Sequence, residues 1–132
     1  MSTAVSTEMK PVTAISLRVA DADIARVESI ATQCSLQAIA QKGHFARAFQ
    51  MAAGIRMLKA AITKEMMADL MDLQGSPLGF RTDKDKDGGY PEAVVKECAI
   101  EAALRGAYWV GNEFNIIAIR GPDRLLEKER IR

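Results

Sequence analysis

The chain has 132 residues, of which 48% are apolar, and its formal net charge is +1. That balance suits one small domain with a real core and excludes a disordered or strongly polyionic chain. No run of about 18 apolar residues occurs, and the opening MSTAVSTEMK lacks the basic-then-apolar order of a secretory signal, so the expectation is a cytoplasmic protein without a membrane partner. Cys34 and Cys98 are far apart without a CxxC, and His44 is the single histidine. These counts exclude a two-histidine metal site or a histidine relay within one chain, leaving two buried thiols and a structural His44.

In chain order, residues 1–11 are small and polar and read as a flexible tail, and 12–132 as a single domain. VTAISLRVA alternates apolar positions and allows a short strand. From Asp21 the spacing of Ile24, Val27, Ile30, Ala31, Cys34, Ala38 and Ile39 is helical, with Asp21 or Asp23 as cap and Gly43 as the end. A second helical stretch runs from Phe45 to Leu73, with Phe45, Phe49, Ala52, Ile55, Ile62, Met66, Leu70 and Leu73 forming its core face and Thr63 serving as an internal cap or kink. Met51, Met57, Met66, Met67 and Met71 read as adaptable core packing.

Gly75 to Gly89 is a glycine-rich loop, long enough to be either mobile or functional. A third helix follows from Pro91 to Arg105, then the buried strand EFNIIAIR, and Pro122 opens a short charged helix. The fold class is mainly α (α+β): three main helices, a long Gly-rich loop and one or two short strands.

Within the loop, DKDKDGG sets Asp83, Asp85 and Asp87 at alternate positions before Gly88, as a calcium loop begins. Twelve-residue geometry requires a bidentate Glu at the last position, which is Val94 here. Lys84 and Lys86 also cancel much of the local charge. Gly88 and Gly89 permit positive φ and Pro91 suits a helix start, so the stretch reads as a turn into a helix, with Glu92 in the first turn.

Charge is unevenly placed. No acidic residue lies between Glu28 and Glu65, whereas Lys42, Arg47, Arg56, Lys59 and Lys64 all do. On an ideal helix Arg56 and Lys59 are neighbours and Arg47 lies about 180° from Arg56, so spacing alone does not make one stripe. There is no Walker loop, GxGxxG, GxSxG or HxxxH, and Glu97 and Glu101 read as pointing to solvent or pairing with Lys96 and Arg105.

The run LQGSPLGFRTDKDKDGGYPEAVVKECAIEAALRGAYWVGNEFNIIAIR resembles the central part of bacteriophage and prophage single-strand annealing recombinases of the RecT/Redβ type. In that likeness Ala99, Ala102, Ala103, Leu104 and Gly106 stand for a helix end and Asn112 to Ile119 for the first strand. It covers roughly residues 45–119. Where a longer annealing core would follow, this chain has IRGPDRLLEKERIR, so it looks like a shortened or rearranged member.

The resemblance implies single-stranded DNA as partner and an oligomer, with no cofactor, no metal and no enzymatic chemistry. Such a protein needs cations along a phosphate backbone and rings on which bases lie. Lys42, Arg47, Arg56, Lys59 and Arg81 are the candidate phosphate contacts. Tyr108 and Trp109 are the candidate stacking rings, with Tyr90 a further ring off the obvious core faces. The alternative is a phage-encoded module that binds a host protein, such as an inhibitor of a defence nuclease, through the Met-rich helix and Trp109.

Overall fold

The computed structural model describes residues 17–120 and the backbone of 127–131. Four helices, α1 (Asp21–Cys34), α2 (His44–Ala61), α3 (Lys64–Leu70) and α4 (Glu92–Leu104), accompany three strands, β1 (Arg81–Thr82), β2 (Asn115–Arg120) and β3 (Glu127–Ile131). The fold is mainly helical with a small sheet of order β1-β2-β3, in which β2 pairs parallel with β1 and antiparallel with β3. No helix among the described residues is long and apolar enough to cross a membrane.

Helices α1, α2 and α4 pack on one another, and α4 also meets β3. Ile30, Leu58, Met67, Val95, Ile100, Ala102, Phe114 and Ile116 share one buried cluster. Phe80 stacks on Phe114 with centroids 4.8 Å apart, joining the loop before β1 to the entrance of β2. α1 and α2 approach closely where Gly54 lies so near Cys34 that a Cβ there would sit 2.5 Å from the cysteine Cβ. Cys34 and Cys98 are both buried.

The long Phe45–Leu73 stretch divides where Thr63 suggested. Ile62 leaves helical geometry, and Thr63 accepts a hydrogen bond from Met66 N at 3.2 Å as the N-cap of α3. Lys96 on α4 closes the other side of this break, donating to Lys59 O at 2.8 Å and Ile62 O at 2.6 Å. Those carbonyls end α2 and have no helical donor, so the ammonium satisfies them and complements the negative end of the dipole. The expected Lys96–Glu97 pairing is therefore replaced by a cap.

Other expectations are corrected. α1 ends at Cys34 rather than near Gly43, because Ser35 turns extended and Leu36 N donates to Leu104 O at 2.8 Å, leaving the residues that follow in turns. Leu17–Ala20 form no strand, while residues 12–16 of that expected strand lie outside the described residues, as does the proposed tail of residues 1–11. The charged segment after Pro122 is a strand where it is described: Glu127–Ile131 pair with Ile116–Arg120. Its Glu, Lys and Arg content favours helix only weakly, and a five-residue ladder with β2 outweighs that preference. In β2 itself, expected to be a buried strand, Ile116 is buried while Asn115 and Ile119 are exposed.

Candidate nucleic-acid interface

Helix α2 carries the basic block, and its burial pattern sets which side is available. Gly54, Leu58 and Ala61 are buried, and Gln50 reaches Gln33 O near the end of α1 at 3.0 Å. α2 outruns α1 at this point, so every residue from Ala40 to Phe49 is exposed. Phe45 and Phe49, expected on the core face, are 73% and 75% exposed. The core is served instead by the small-residue side of the helix, through the close approach of Gly54 to Cys34.

Residues 45, 49, 52, 56 and 59 fall within an arc of about 80° on a regular helix, opposite the Gly54–Leu58–Ala61 side. Phe45, Phe49, Ala52, Arg56 and Lys59 are all exposed, so aromatic rings and cations share one solvent face. Arg47 points off that arc yet is exposed because the helix end stands clear of the core, and Lys42 lies in the turn just before the helix. Among the described residues Lys42, Arg47 and Arg56 form no ion pair, whereas Lys59 pairs with Glu97 at 3.5 Å across to α4. The helix starts at Gly43 without a side-chain cap or an acidic residue in its first turn, so the positive end of its dipole is uncompensated there. His44 meets Phe45 edge-on, with centroids 5.1 Å apart.

The other candidates are placed differently. Arg81 is engaged with Asp85, Nε to Oδ2 at 2.8 Å, inside the DKDKDGG loop. Trp109 is partly buried and donates from Nε1 to Ala99 O at 2.8 Å, which fixes it against α4. Tyr108 is exposed, with its backbone N–H bonded to Glu113 at 2.9 Å. The structure thus gathers Lys42, Arg47, Arg56 and Lys59 along one helix and its approach, and holds Arg81, Tyr108 and Trp109 in other elements. Glu101 pairs with Arg105 at 3.0 Å, one turn along α4.

The DKDKDGG loop is internally bonded. Asp83 accepts from the Tyr90 hydroxyl at 2.5 Å and from Ala118 N at 3.1 Å, so it joins the loop to both the α4 entrance and β2. The Tyr90 bond, with help from the Ala118 amide and Lys84, holds the Asp83 carboxyl below its ordinary value. Burial pushes the Asp85 carboxyl up, but bonds from Arg81 and Thr82 outweigh it and keep it low. Tyr90 itself is buried, against the expectation of a ring off the core faces, because its hydroxyl finds that carboxylate and its backbone is held by Gln74. Among the described residues no three His, Cys, Asp or Glu side chains converge as metal ligands.

The two exposed phenylalanines were missed in the sequence because their spacing is that of a buried stripe. The signal that could have found them is the coincidence of that stripe with Arg56 and Lys59, which a core face would not carry.

A second surface feature is an open apolar groove of about 880 Å³ bordered by α1, α3 and the Tyr108–Trp109 turn, with Val27, Met66 and Leu70 in its wall. Compared with known proteins, the chain matches no family, no curated protein and no solved structure.

Proposed function

We propose that this protein binds single-stranded DNA as a recombination-related, annealing-type protein, through cations rather than a catalytic group. The observation that carries this reading is the exposure of Lys42, Arg47 and Arg56 without ion pairs among the described residues, on a helix and approach free of acidic side chains. A cation already neutralised by a carboxylate gains little from a phosphate, whereas an unpaired one displaces condensed counterions from the strand. Lys59 contributes less, because Glu97 competes for it.

The test is a titration of a labelled single-stranded oligonucleotide at low and moderate salt. Binding should weaken linearly on a log–log plot, and Lys42→Ala, Arg47→Ala and Arg56→Ala should each reduce the slope by about 0.7, one released counterion per contact. No binding at low salt sinks the reading.

A second reading, a module that binds a host protein, draws support from the apolar groove beside Trp109. It requires no salt-sensitive DNA binding, so the same titration separates the two.

A further inference from the structure

We infer that Phe45 and Phe49 are base-stacking platforms, each taking the face of one unpaired base while Arg56 and Lys59 follow the backbone. The inference rests on the single-strand reading and assigns it two residues that charge alone does not. Two phenylalanines one turn apart, each about three-quarters exposed, form an apolar surface that nothing among the described residues covers. Their neighbours along the same arc are Ala52, Arg56 and Lys59, so an occupant must offer flat apolar faces and negative charge together. A second copy of α2 brings the same cations and would be repelled. A single strand offers both features.

Spacing narrows the form of the strand. Four helical residues advance about 6 Å, and bases stacked along a strand advance about 3.4 Å, so one base on each ring requires the two bases to be parted from each other. Duplex DNA keeps its bases stacked and paired, with no free faces for these rings. The stacking is indifferent to sequence because every base has a π-face.

The experiment compares fluorescence anisotropy of a labelled oligothymidine with that of an equally long abasic deoxyribose-phosphate strand, for the parent chain, Phe45→Ala/Phe49→Ala and Phe45→Tyr/Phe49→Tyr. Affinity of the alanine variant for oligothymidine should fall about five- to a hundredfold per ring, with an unchanged salt slope, while its affinity for the abasic strand stays at the parent value. The tyrosine variant should bind like the parent. Circular dichroism and sedimentation should show parental helix content and mass for both variants, since neither ring is buried.

Equal affinity of parent and alanine variants for oligothymidine overturns the stacking role while leaving the cationic reading intact. Absence of parent binding to either strand at low salt overturns both. A loss of mass in the alanine variant makes this face a contact between copies and overturns the assignment.

Discussion

The Tyr90 hydroxyl donates to Asp83 Oδ1 at 2.5 Å, and the other oxygen of the same carboxylate accepts from the backbone of β2. One side chain thereby ties the start of α4, the glycine-rich loop and the central strand together. The turn was expected to launch a helix; its aspartates also fasten it.

That arrangement predicts a pH dependence. Asp83 is held below its ordinary value in the folded chain, first by Tyr90, so its contribution is fully present above the unfolded value near 4 and is lost as pH falls through the folded value. Asp85, also lowered, adds in the same direction. Urea unfolding of the parent and Tyr90→Phe at pH 7 and pH 3 should show the variant less stable by about 1 kcal/mol at pH 7 and the gap narrower at pH 3. An equal gap at both values removes Asp83 from the account.

Gly54→Ala should destabilise the protein although alanine is the better helix former. The added Cβ would lie 2.5 Å from Cys34 Cβ and 2.9 Å from its Sγ, within a buried helix crossing. Overpacking of this kind costs about 1–3 kcal/mol, against about 1 kcal/mol gained in helix propensity. A thermal melt no lower than the parent's would mean that α1 and α2 separate at little cost.

Lys96→Met keeps the aliphatic stem and removes the ammonium from Lys59 O and Ile62 O. Two bonds from a charged donor are lost at a helix end, and the expected cost is about 2 kcal/mol in chemical unfolding. Lys59→Met breaks only the exposed pair with Glu97 and should cost less than about 1 kcal/mol. Equal losses in the two variants would refute the capping role.

Some helix ends were legible from local signals, but not those of α1: its N-cap is Ala20 without a side-chain bond, rather than Asp21 or Asp23, and it ends at Cys34, well before Gly43. Thr63 marked a break and caps α3, and Gly106, at φ 95°, closes the helix that Pro91 opens. What was not legible depended on partners distant in the chain. Glu127–Ile131 looked helical by composition and is a strand because β2 lies beside it. Tyr90 lies off every core face that periodicity marks, and it is buried because Asp83 and Gln74 bond to it. Phe45 and Phe49 had the period of a core face, and only the early end of α1 shows that nothing among the described residues packs on them. The basic residues could be read as a charge interval, but the burial of Gly54 and Leu58 was needed to separate Arg56 and Lys59 on the solvent face from Arg47 on the opposite side of the helix's free end.

The bond from Leu36 N to Leu104 O has a thermodynamic consequence for anything that meets α2. It pins the corner between α1 and α2 to the end of α4, and the Gly54–Cys34 contact clamps the middle of the helix to the same body. The exposed face is thereby held at two places before any ligand arrives. Ordering entropy that a disordered basic arm would surrender on binding has already been spent in folding, so less is subtracted from affinity.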